Sequence, residues 1–146
     1  MSRFEAWLLH LANLLVGGTG VAYALFRYFV KPDDPFANAH PWQAPAQHAH
    51  VLVAPLLVFG LGLIFRSHAW AGVKLDVRAR RRSGTALLAG AAPMIASGYL
   101  LQVAVEPSWR TAWIWVHLAT GALWLGATIA HQVSARRPPG TGSAAQ

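Results

Sequence analysis

The chain has 146 residues, of which 55% are hydrophobic and 12% charged, with a formal net charge of +7 and no cysteine. That charged share is about half of what a water-soluble domain carries. The lack of cysteine excludes disulfides, thiolate-held iron–sulfur clusters and thioether attachment of a c-type haem.

Apolar stretches follow one another at Phe4–Val30, Ala49–Phe65, Ser83–Val105 and Ala112–Val133. Each is near the roughly 17–25 residues that cross a hydrocarbon core as a helix. With their flanks they predict spans over 4–30, 48–70, 83–105 and 110–134. The first holds Gly17-Gly18-Thr19-Gly20, small residues that let a second helix or a flat ring come close. It precedes Ala37-Asn38-Ala39, which has the small-x-small form of a signal cleavage site. Its length far exceeds the roughly 7–15 apolar residues of a cleaved signal, so a retained helix is expected.

The link from Lys31 to His48 contains Pro32, Pro35, Pro41 and Pro45 and reads as an ordered loop carrying His40 and His48. Pro55 and Pro93 predict kinks in the second and third spans. The third span has no histidine, and its Gly90, Ala91, Ala92, Ser97 and Gly98 predict close helix packing. Trp42, Trp109, Trp113 and Trp115 suit one membrane interface, and Trp7 and Trp70 the other. Residues 136–146 read as a short flexible tail. No internal repeat stands out.

The basic residues Arg66, Lys74, Arg78, Arg80, Arg81 and Arg82 lie in or beside the second link, with Arg3, Arg136 and Arg137 at the chain ends. In a chain that crosses four times, all of these fall on one side. The other side has Arg27, Lys31 and Arg110, offset by Asp33, Asp34 and Glu106. The positive-inside rule then puts both termini in the cytoplasm of a bacterial inner-membrane protein. Charge of this kind flanks a lipid bilayer, so no nucleic-acid partner is expected. The expected fold is an all-α integral-membrane protein, one four-helix transmembrane bundle over residues 1–135.

His10, His50, His117 and His131 lie within these apolar segments, where an ionisable side chain is costly and marks function by default. His117 and His131 share one span, 14 residues apart. That is about 21 Å along a helix, with the two side chains within about 40° of one direction. By topology His50 pairs with His117 near the outer side, and His10 with His131 near the inner side. One imidazole from each of two facing helices is what a haem iron with two axial nitrogens requires. His68, five turns after His50 and between Arg66-Ser67 and Ala69-Trp70, is the alternative inner ligand. It could also bind a propionate or relay a proton. Gly121, Gly126 and Ala127 would leave room beside the ligands, and Thr120 and Thr128 would offer hydrogen bonds.

Histidines on spans one and two, then two on span four separated by 14 residues, resemble the membrane cytochrome b subunit of respiratory formate dehydrogenases and nickel–iron hydrogenases. Related cytochrome b561-like four-helix proteins share the plan. The resemblance covers about residues 4–133, with the His117–His131 spacing its most specific part and Thr19-Gly20 a weaker one. It implies two b haems, with iron ligated by His50 and His117 in one and by His10 and His131 in the other, and a quinone reacting near the cytoplasmic haem. The chain departs from the family in its shortness and in having Leu11 after the first histidine.

The expected role is therefore an electron-transfer subunit of a membrane oxidoreductase. It would carry electrons between a periplasmic redox protein or catalytic subunit and the quinone pool. Arg3, Arg27, Arg66 and Arg110 could pair with propionates; Asn13 and Gln132 could touch quinone. The alternative is a haem-free structural or assembly subunit. A divalent-cation transporter fits less well, because Glu5 is the only carboxylate in the spans and hard cations want oxygen ligands.

Overall fold

The computed structural model of the chain describes residues 2–65 and 78–136. All regular structure among them is helical: α1, Arg3–Tyr28; α2, Gln43–Ile64; α3, Arg78–Val103; and α4, Pro107–Arg136. They fall into two compact units, within Met1–Ala71 and Gly72–Gln146, the first built on α1 against α2 and the second on α3 against α4. Each unit is an antiparallel hairpin. In the first, Gly20 approaches His50 while Leu9 approaches Gly60. In the second, Ser97 meets His117 while Leu101 meets Arg110.

The helix ends follow from local chemistry. Ser2 and Glu5 form a capping box at the start of α1: Glu5 N–H donates to Ser2 Oγ at 3.1 Å and Ser2 N–H donates to Glu5 Oε2 at 2.6 Å. Two backbone donors that would otherwise lack a helical partner are thereby satisfied. At the other end Phe29 and Val30 N–H both close on Leu25 O at 2.9 Å. Glu106 caps α4, accepting from Ser108 N–H at 3.1 Å and Trp109 N–H at 2.8 Å, with Pro107 at the first helical position. Proline suits that position because its missing N–H would have no intrahelical partner there. Arg110 Nη1 donates to Leu101 O at 3.1 Å, across the turn that ends α3.

The link between α1 and α2 is shorter than expected. The second helix begins at Gln43, so Pro45 sits in its first turn, where proline is tolerated, and His48 is helical rather than in a loop. His40 does lie in the link, stacked on Phe26 with ring centroids 4.6 Å apart. The helices run on through Pro55 and Pro93. In α2 the buried residues Leu57, Gly60 and Ile64 recur at three- and four-residue steps, one face of a helix. At Gly60 an added Cβ would lie 3.6 Å from Leu9 Cδ1 and 3.9 Å from Leu9 Cα, so the two backbones run close there.

Among the described residues, three helices are long and apolar enough to cross a membrane: α1, α2 and the Pro107–Val133 part of α4. Their large side chains stay outside the packed seams, with Leu52 79%, Leu123 73% and Phe4 71% exposed. Apolar surface of this extent is unfavourable in water and at home in hydrocarbon, and a helix satisfies its own backbone there. These features fit a multi-pass membrane protein. The third expected span, Ser83–Val105, is met by a helix that is not among the three apolar ones. That helix opens on Arg78, Arg80, Arg81 and Arg82 and includes Pro93, Ser97 and Gln102. His68, Trp70, Arg66, Lys74 and the tail from residue 137 lie outside the described residues.

Candidate functional site

In the first hairpin, His50 reaches from α2 to the backbone of α1. Its Nδ1 lies 3.0 Å from Val16 O and 3.3 Å from Thr19 Oγ1. A carbonyl oxygen only accepts, so Nδ1 carries the proton and donates. The Thr19 hydroxyl gives its single proton to its own helix, at 2.6 Å from Leu15 O with Val16 O at 3.2 Å, which leaves its oxygen to face the imidazole N–H as an acceptor. Gly20 makes the approach possible: a Cβ there would stand 3.0 Å from His50 Cε1 and 3.2 Å from Nδ1.

The second hairpin repeats this arrangement. His117 Nδ1 on α4 donates to Met94 O on α3 at 3.1 Å and lies 3.2 Å from Ser97 Oγ. Ser97, fully buried, donates to Met94 O at 3.0 Å. A Cβ at Gly98 would stand 3.1 Å from His117 Cε1. In each hairpin a carbonyl, a hydroxyl three residues on and a glycine four residues on receive one imidazole from the partner helix.

The chemistry of both rings is thereby set. With the proton on Nδ1, a neutral imidazole keeps its lone pair on Nε2, the nitrogen able to bind a metal. A hydrogen bond from the other ring nitrogen to a carbonyl is the usual support of a histidine ligand. Among the described residues no group of three or more His, Asp or Glu side chains gathers as a metal cluster. A bis-imidazole centre takes two protein ligands and calls for no such group.

His10 lies near the N-terminal end of α1 and is exposed; His131, half-buried, lies near the C-terminal end of α4. Each hairpin thus carries one histidine toward its connecting turn, His50 or His117, and one toward its open end, His10 or His131. His10 is about 12 Å along α1 from the level of Val16–Gly20, at about 1.5 Å per residue. His131 is about 21 Å from His117 on the same scale.

The other residues singled out near the histidines make the following contacts. Thr120 Oγ1 turns to carbonyls of its own helix, Val116 O at 2.7 Å and His117 O at 3.3 Å, whereas the hydroxyl facing the His117 imidazole is Ser97 on the neighbouring helix. Thr128 Oγ1 is buried and has no hydrogen-bond partner among the described residues. Added Cβ atoms at Gly121 and Gly126 would meet nothing within 4 Å; the glycines pressed against imidazoles are Gly20 and Gly98. Asn13 Nδ2 donates to Leu9 O at 2.9 Å. The sequence reading missed Thr19 and Ser97 as histidine partners. The available signal was a hydroxyl residue followed by glycine on each helix that precedes a histidine-bearing one.

Neither protein-family models, curated proteins nor solved structures provide a match to this chain.

Proposed function

We propose that this chain is a membrane-embedded di-haem b-type cytochrome subunit, carrying electrons between a redox partner at the outer face and the quinone pool. The observation that carries the reading is an Nδ1-anchored imidazole in each hairpin, His50 in one and His117 in the other, on helices of membrane length. Their donor chemistry fits an axial ligand of haem iron: neutral, nitrogen-based and held in one tautomer. Without cysteine, haem would be held non-covalently. Bound haem would supply reversible one-electron chemistry. The chain would supply axial nitrogens, hydrogen bonds that tune their basicity, and an apolar surround.

In this reading α3 also crosses the membrane, as the third of four spans. Its residues from Ser83 to Val103 carry no Asp, Glu, Lys or Arg, and the preceding arginines flank the bilayer on the cytoplasmic side. His50 and His117 hold the outer haem, and His10 and His131 the inner one, near which quinone reacts. His68 is the alternative to His10 as the inner ligand. The likeness to formate dehydrogenase and hydrogenase cytochrome b subunits supports the same assignment.

The test is the dithionite-reduced visible spectrum and pyridine haemochrome of the purified protein. Two extractable b haems per chain are expected. A haem-free protein of normal yield would point instead to a structural or assembly subunit.

A further inference from the structure

The two imidazole sites share one triangle of polar atoms. In α1–α2, the triangle of Val16 O, Thr19 Oγ1 and His50 Nδ1 has sides of 3.2, 3.3 and 3.0 Å. In α3–α4, the triangle of Met94 O, Ser97 Oγ and His117 Nδ1 has sides of 3.0, 3.2 and 3.1 Å. A lone carbonyl would fix which nitrogen is protonated but leave the ring able to swing about that one bond. The hydroxyl adds a second acceptor to the same N–H. The glycine then lets Cε1 settle against the helix backbone, at a distance no larger residue permits without displacing the ring.

General helix packing does not account for the glycines. Gly18 and Gly90 are on the same two helices, and a Cβ at either would meet nothing within 4 Å. Among the described residues, the glycines at which an added Cβ would press on an imidazole are Gly20 and Gly98, each next to a hydroxyl residue.

We propose that Thr19–Gly20 and Ser97–Gly98 are matched positioning pairs. They hold His50 and His117 as Nδ1–H tautomers in one ring orientation, so that Nε2 is the metal-ligating nitrogen in both hairpins. That the metal is haem iron rests on the function proposed above; the tautomer and ring orientation do not.

The experiment uses the full chain in lipid nanodiscs, as purified and reduced, with 15N-labelled histidine. Resonances are assigned with His50→Gln and His117→Gln. The expected wild-type spectrum shows both rings protonated at Nδ1. Gly20→Ala should shift the His50 Nδ1–H resonance alone, and Gly98→Ala that of His117 alone, as each ring gives way by a few tenths of an ångström. Thr19→Val and Ser97→Ala should move the same protons in the direction of a weaker hydrogen bond. Gly18→Ala and Gly90→Ala gain helix propensity in the same way and should leave both resonances in place. A ring protonated only at Nε2, or four glycine variants that behave alike, would overturn the proposal. Nδ1–H rings responding as described in a protein that holds no haem would uphold the positioning pairs and overturn the haem assignment.

Discussion

At the residue scale, the neighbouring helix decides which nitrogen of His50 and of His117 bears the proton. Ser97 illustrates the consequence. Ser97→Ala removes one of two acceptors and leaves Met94 O in place, so a loss of about 0.5–1.5 kcal/mol is expected from one neutral hydrogen bond. Ser97→Leu forces a larger side chain into a fully buried position, and overpacking of that kind costs about 1–3 kcal/mol and would displace His117. Unfolding in mixed detergent micelles, followed by helical circular dichroism, measures both. The order alanine milder than leucine is the expected result.

The histidine pairs make a second prediction at this scale. His50→Ala and His117→Ala should each remove the same haem, seen as identical difference spectra and a halved haem-to-protein ratio. His131→Ala should remove the other. His10→Ala should match His131→Ala, whereas His68→Ala should retain both haems. The reverse result for His10 and His68 would reassign the inner ligand.

At the element scale, α4 owes its start to Glu106. The Ser108 hydroxyl, then the Trp109 and Ser108 N–H groups, hold this carboxyl below its ordinary range. The folded pKa is thus lower than the unfolded one. The cap therefore contributes its stability above the unfolded carboxyl pKa, and that contribution is lost as pH falls through the folded value. Glu106→Gln should be less stable than the parent at neutral pH, with the difference shrinking under acid conditions. Melting temperatures of the two proteins across that pH range give the test. A pH-independent difference would mean the charge on Glu106 has no part in the cap.

The same scale explains why the hairpin likeness is hidden in the sequence. Gly20 precedes His50 by 30 residues, whereas Gly98 precedes His117 by 19. The first connection runs from Phe29 to Trp42 and the second only from Ala104 to Glu106. An inserted loop shifts the spacing while leaving the helix-to-helix meeting intact. Periodicity therefore fails where geometry repeats.

For the whole molecule, the prediction is topological. A C-terminal alkaline phosphatase fusion should be inactive and a C-terminal green fluorescent protein fusion bright, because the arginines around residues 78–82 and 136–137 resist transfer across the membrane. A fully active phosphatase fusion would invert the chain and exchange the inner and outer labels of the proposed haems.

Helical class, the approximate extents of α1 and α4 and the candidate histidines were all legible in the sequence. Length and apolar content express themselves within one segment, and a histidine in such a segment is conspicuous because burying it is costly. α2 starts five residues before the expected span because Pro45, a break signal in sequence, is harmless in a helix's first turn. Which small and hydroxyl residues matter was decided by tertiary structure alone. Thr19, Thr120 and Ser97 are equally ordinary helix residues when read singly; Thr19 and Ser97 become histidine partners because α1 and α3 present them beside a carbonyl, facing the imidazole of the next helix. A hydrogen bond that crosses between helices depends on the rotation and closeness of both, and those are fixed only when the helices pack.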